Sequence, residues 1–84
     1  MTLSESIELK GKIINADDGL PVAGAYVYTV EGEEEAITGE LGEFKLTTWN
    51  SYPFLLTVKH SKYHSKQLRI TSNPKYLQIK LKKK

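Results

Sequence analysis

The stretch Ile7-Glu8-Leu9-Lys10-Gly11-Lys12-Ile13 puts an apolar residue or a glycine at every odd position and a charge at every even one. Side chains alternate across a β-strand, so this pattern predicts a half-buried strand with Glu8, Lys10 and Lys12 in water. The same reading applies to residues 25–30, 43–47 and 77–82. Phe54-Leu55-Leu56-Thr57-Val58 is more apolar and predicts a central strand buried on both faces. Residues 63–70 alternate less cleanly, with Leu68 and Ile70 on one face, and residues 35–38 add a short strand. No segment repeats apolar residues at helical spacing over about 11 positions.

Turn chemistry separates the runs. In Asp17-Asp18-Gly19-Leu20-Pro21 the aspartates cap local amides and Gly19 supplies a positive φ. Glu40-Leu41-Gly42-Glu43 is a second tight turn, in which Gly42 delivers Phe44 to the core. Breaks follow at Asn50-Ser51 with Pro53, and at Ser72-Asn73-Pro74. About seven short strands at regular spacing predict an all-β fold, a seven-stranded sandwich closed by Greek-key connections. Its expected core is Leu9, Ile13, Ala25, Val27, Phe44, Leu46, Phe54, Leu56, Val58, Leu68, Ile70, Leu77, Ile79 and Leu81.

Composition agrees. The chain has 84 residues, 39% of them hydrophobic and 26% charged, with a net charge of +2, the balance of a globular domain. That length suits one domain, residues 1–84 with a core over about 7–82, burying roughly 60–65% of its unfolded surface. Cysteine is absent, which excludes disulfides, thiolate metal sites and thiol catalysis. The longest apolar run, Phe54-Leu55-Leu56, is far short of the roughly 20 residues of a membrane helix. Met1-Thr2-Leu3-Ser4-Glu5-Ser6 has neither the basic start nor the apolar stretch of a signal peptide, which keeps a cytoplasmic location open.

The order of segments resembles a known family. Leu9-Lys10-Gly11-Lys12-Ile13, Asp18-Gly19, and Leu20-Pro21-Val22-Ala23-Gly24-Ala25-Tyr26-Val27 are similar to the opening of carboxypeptidase regulatory-like domains. Thr38-Gly39-Glu40-Leu41-Gly42-Glu43-Phe44-Lys45-Leu46 resembles their central turn and strand; residues 54–58 and 63–70 resemble their close. The likeness runs over residues 7–81, with two departures: Gly39 where the family often has aspartate, and Lys62 where it has glycine before the tyrosine. The resemblance implies a prealbumin-like, or transthyretin-like, sandwich without catalytic machinery or cofactor. It implies an accessory module for a protein partner or a neighbouring domain, in a cell envelope or secreted setting beside carboxypeptidases, adhesins or TonB-dependent receptors. Transthyretin-related enzymes that hydrolyse a urate derivative share the fold type but end in Tyr-Arg-Gly-Ser, whereas this chain ends Lys82-Lys83-Lys84.

Candidate sites are few. His60 and His64 could form a metal or acid–base pair, but the lysine-rich stretch from Lys59 to Lys66 would repel a cation, and surface histidines are the plainer reading. Glu31-Gly32-Glu33-Glu34-Glu35 could offer calcium its carboxylates, yet lacks the spaced Asp and Asn ligands of a calcium loop and reads as solvated. Neither a nucleophile elbow nor a phosphate-binding glycine loop is present. Tyr26 and Tyr28 should face outward together, and Trp49 and Tyr52 occupy the loop after residues 43–47. These four could anchor a protein or stack on sugar rings; covering a sheet face is the simpler role.

Charge is the most unusual feature. Residues 1–43 carry ten acidic and two basic side chains, and residues 44–84 carry ten basic and none acidic. One reading is cross-strand pairing, with the sequence dipole cancelling as the two halves interleave. The other is a basic face meeting an anionic lipid, a glycan or, less plausibly, nucleic acid. Lys82-Lys83-Lys84 reads most simply as a ragged end after the last strand.

Overall fold

A computed structural model describes residues 6–84. The start of the chain, where a signal peptide would sit, lies largely outside the described residues. Seven strands form: β1 (Ile7–Asn15), β2 (Tyr26–Val30), β3 (Glu34–Ile37), β4 (Glu43–Thr48), β5 (Phe54–His60), β6 (Tyr63–Ile70) and β7 (Leu77–Leu81). They make a three-stranded sheet ordered β4-β1-β7 and a four-stranded sheet ordered β3-β2-β5-β6. The β2–β3 and β5–β6 hairpins stay within one sheet, and every other connection crosses to the facing sheet. β2 and β5 are therefore neighbours without being consecutive, as Greek-key connections require. β1 pairs antiparallel with β4 and parallel with β7.

The core lies between the sheets and holds Leu9, Ile13, Ala25, Val27, Phe44, Leu46, Phe54, Leu56, Val58, Ile70, Ile79 and Leu81, as the alternation predicted. Leu68 and Leu77 do not reach it fully; they are half-buried at its margin, because β6 and β7 are edge strands. Val22 and Ile14 are buried instead. The loop after β1 folds back on it, with Val22 N–H donating to Ile13 O and Ile14 bridged to Pro21, so the end of β1 is covered on both faces. β5 is central, but Leu55 is 50% exposed on the outer face while Thr57 beside it is buried. Its burial on both faces is thus partial: Tyr28 and Gln67 flank Thr57 across the sheet, whereas Arg69 is the partner opposite Leu55.

Two glycines hold the three-stranded sheet together. Gly11 sits opposite Phe44, and a Cβ on it would strike the Leu77 carbonyl and come within 2.8 Å of the Phe44 ring. The missing side chain is what lets that ring lie across β1. Gly42 has φ +74°, and its carbonyl accepts from Ile13 N–H at 2.8 Å, tying the turn before β4 to β1.

Three side chains close turns in ways the sequence only half announced. In the first turn the amides of Asp17 and Leu20 are capped by Asn15 and Asp18 respectively, so Asp17 is not itself a cap. Thr38 is 4% exposed; its hydroxyl donates to Val22 O and accepts from Ala25 N–H, clasping the entry of β2 to the end of β3.

Truncating Leu56, fully buried, to alanine should lower unfolding free energy by about 2–5 kcal/mol. Gly11→Ala should cost about 1–3 kcal/mol, because backbone or ring must move to admit one methyl group. Urea denaturation measures both, and a Gly11→Ala protein as stable as the parent would refute the packing argument.

Candidate functional site

The outer face of the four-stranded sheet carries the first pair of candidate aromatics. Tyr26 lies between Ile37 and Lys59, and Tyr28 between Glu35 and Thr57. Successive outward positions on one strand bring the rings to 5.0 Å between centroids, tilted by 38°. Both residues are half-buried, while Ile37 and Leu55 on this face are 67% and 50% exposed. Lys59 Nζ stands 5.6 Å from the Tyr28 ring centre, and its contact with Tyr28 raises its pKa. The Tyr26 hydroxyl accepts from Gly32 N–H at 3.1 Å. That bond alone would favour the phenolate; burial and the Glu35 and Glu31 carboxylates outweigh it, so the pKa of Tyr26 is raised. The Tyr26 phenol is therefore held in its neutral form.

Trp49 and Tyr52 sit elsewhere, in the β4–β5 loop, and are not in ring contact with the tyrosine pair. Tyr52 stacks on Phe54 at 5.6 Å, so part of its area already covers the core. The Trp49 ring is 62% exposed although its backbone is fixed. The fixing residue is Glu34, which the sequence reading left in a solvated acidic loop. Its Oε1 accepts from the hydroxyls of Thr29 (2.7 Å) and Thr48 (2.6 Å) and from Asn50 Nδ2 (3.2 Å); its Oε2 accepts from Trp49 N–H at 2.7 Å. Burial would raise the pKa of Glu34, but the bonds from Thr48, Trp49 and Thr29 together hold it below the usual glutamate range. This carboxylate is spent on joining β3 to β4 across the two sheets, which leaves the calcium reading without its central ligand.

The histidines do not form a pair. His60 accepts from Lys62 N–H at Nδ1 (3.0 Å), so its Nε2, 3.0 Å from Ala23 O, carries the proton and donates. Both ring nitrogens are thus used in structure, and the ring meets Tyr63 edge-on at 5.1 Å. His60 also explains how Lys62 replaces glycine: the β5–β6 turn contains no positive φ, and the imidazole satisfies the amide that the turn exposes. His64 lies exposed on β6. Among the described residues no group of three His, Asp or Glu is placed to hold a metal.

Charge does not cancel in space. β3 lies against β4, and β6 against β7, so the sandwich has two lateral sides. The first bears Glu33, Glu34, Glu35, Glu40 and Glu43, with Lys45 on β4 as its cation; the second bears Lys62, Lys66, Arg69, Lys80 and Lys82 to Lys84. Cross-strand pairing is sparse: among the described residues the ion pairs are Glu8 with Lys10 and with Lys45, each 3.4 Å. Lys45 first, then Lys10, hold the Glu8 pKa below its usual range. The end of the chain is not ragged either, since His64 N–H donates to Lys82 O, Lys84 N–H donates to Lys62 O, and Lys83 bridges Tyr63.

A family model for the CarboxypepD_reg-like domain matches residues 9–84, the span that carries every strand except the start of β1. The chain belongs to this family. No curated protein matches the sequence. In this CarboxypepD_reg-like domain, Gly11, Thr38 and Gly42 acquire physical reasons as packing, clasp and turn residues. Among the described residues no helix is long and apolar enough to cross a membrane.

A carboxylate whose folded pKa is depressed stabilises the fold above its unfolded pKa and loses that contribution as the pH falls through the folded value. Glu34→Gln should therefore destabilise by about 1 kcal/mol at neutral pH, a low value for bonds to a half-exposed charge. The difference from the parent should shrink between about pH 5 and pH 3. Denaturation at a series of pH values checks this, and a difference unchanged by acid would refute it.

Proposed function

We propose that this CarboxypepD_reg-like domain, taken as one unit over residues 1–84, is a non-catalytic accessory module that binds a protein partner or a neighbouring domain. Its family supports the accessory role, and a cell-envelope or secreted setting with it. The observation that carries the binding reading is the adjacent, tilted pair Tyr26–Tyr28 on an outer sheet face beside exposed Ile37 and Leu55. Rigid aromatics on a strand lose little conformational freedom on binding and expose large apolar area with a polar tip. The tyrosine hydroxyls and Lys59 supply polar groups at the rim of that area.

A second reading, a small glycan- or ligand-binding module, rests on Trp49. Its side chain is exposed on a backbone fixed by Glu34, in the same loop as Tyr52, and a shallow groove lined by Pro53, Phe54, Leu55 and Arg69 begins where that loop enters β5. An aromatic held this way can stack on a sugar ring.

A photo-crosslinking residue at position 28 should capture one polypeptide in the native cell, and the same residue at position 10, on the outer face of the other sheet, should not. Tyr26→Ser combined with Tyr28→Ser should leave the fold intact and weaken that association at least tenfold, the effect of losing about 1.4 kcal/mol. Equal capture at both positions would sink the tyrosine-face reading. For the glycan reading, Trp49 is the only tryptophan, so its fluorescence should shift on titration with a glycan panel. No shift at millimolar sugar would dismiss it.

A further inference from the structure

β3, β4, β6 and β7 are the edge strands of the two sheets, and β6, with eight residues, is the longest of them. On its open side the chain's last residues pair only with its beginning, through Lys82 O on His64 N–H and the Tyr63–Lys83 bridge. Main-chain groups alternate in direction along a strand. His64 N–H points to the open side, but β6 carries one extra residue between Tyr63 and Lys66, which reverses the phase. Lys66, Leu68 and Ile70 face Val58, Leu56 and Phe54 of β5, and the main-chain groups of Gln67 and Arg69 point to the open side. Among the described residues no strand pairs with them on that side.

The surroundings of this edge carry one sign of charge. Lys66 reaches across to donate to Lys80 O at 3.1 Å, and His64, Ser65, Lys66, Lys80, Leu81 and Lys82 line a groove of about 340 Å³ there. Arg69 lies further along β6, and no acidic residue occurs after Glu43. None of these cations is in an ion pair among the described residues. Lysines on an edge ordinarily guard it against other strands. The guard is selective, however: it repels a basic strand and costs a neutral one desolvation, but it attracts an acidic strand.

We propose that the open edge of β6 takes up an extended acidic peptide segment as an added strand. The segment's main chain bonds to Gln67 and Arg69, and its carboxylates answer Lys66, Arg69, Lys80 and Lys82. Main-chain bonds give such an addition its affinity, and the charge pattern gives it its selectivity. The site is separate from the Tyr26–Tyr28 face, so either can fail without the other.

The test titrates the full chain with a synthetic peptide of alternating Glu and Val at low salt, followed by backbone amide NMR. The expected result is shifts centred on residues 65–70 and slowed hydrogen exchange at the amides of Gln67 and Arg69. The combined variant Lys66→Glu, Lys80→Glu, Lys82→Glu alters only exposed side chains and should weaken binding about tenfold or more. The same peptide N-methylated on alternate residues keeps its charge but cannot form the ladder, and it should bind at least tenfold more weakly. Equal binding of the N-methylated peptide overturns the proposal in favour of charge attraction alone. So do equal shifts at these amides with inorganic phosphate or a sulfated polysaccharide, shifts confined to the tyrosine face, or no shifts at all. Shifts of the β6 amides with protein concentration, peptide absent, assign the edge to a second copy and overturn it equally.

Discussion

The absent side chain at Gly11 is the constraint on which the three-stranded sheet depends. β1 is the middle strand of that sheet, and at its midpoint it must accept the Phe44 ring from one neighbour and the Leu77 carbonyl from the other. No residue with a Cβ satisfies both without movement. Once the ring is seated, Leu9 and Ile13 flank it on the same face of β1, and Leu46 follows it on β4. The buried surface of the facing sheet, Val27, Leu56 and Val58, then has a continuous partner. In a domain of this size, without disulfides, that continuity supplies most of the stability.

Around this core the polar residues do two distinct jobs. Some are consumed internally: Thr38 clasps β2 to β3, Glu34 ties β3 to β4, and His60 closes the β5–β6 turn. Each is a group that taken alone resembles a site, and each is satisfied by its own backbone or by neighbouring side chains. Others are only lightly engaged and face outward, notably the tyrosine pair, where the Tyr26 hydroxyl accepts one turn amide, and the cations beside β6, which form no ion pair among the described residues. Separating spent from unspent groups is what points to the surfaces available for recognition.

Much of the fold was legible because a period of two is local: any strand with one wet face advertises itself, and the strands predicted from alternation are the strands observed. The turns at Gly19 and Gly42 were legible for the same reason, since each needs a positive φ. What escaped the sequence is non-local. The parallel pairing of β1 with β7 joins residues more than sixty positions apart, and no local pattern encodes it. Glu34 looked like one more glutamate in an acidic run, because its partners Thr48, Trp49 and Asn50 come from another sheet's strand and loop. His60 and His64 looked like a pair because their spacing is visible, whereas the carbonyl of Ala23 that claims His60 is not. Charge segregation was visible along the chain, but its survival in space follows from the stacking of β3 on β4 and β6 on β7.

The side-by-side, same-direction arrangement of the first and last strands has a mechanical consequence. A pull on the start of β1 and the end of β7 drags these neighbours past each other along their length. The load is shared by the whole row of bonds from Gly11–Leu77 to Asn15–Leu81, where a hairpin pulled open at its ends would yield one bond after another. Tension applied between these two strand ends is therefore met by the bonds of the ladder in concert.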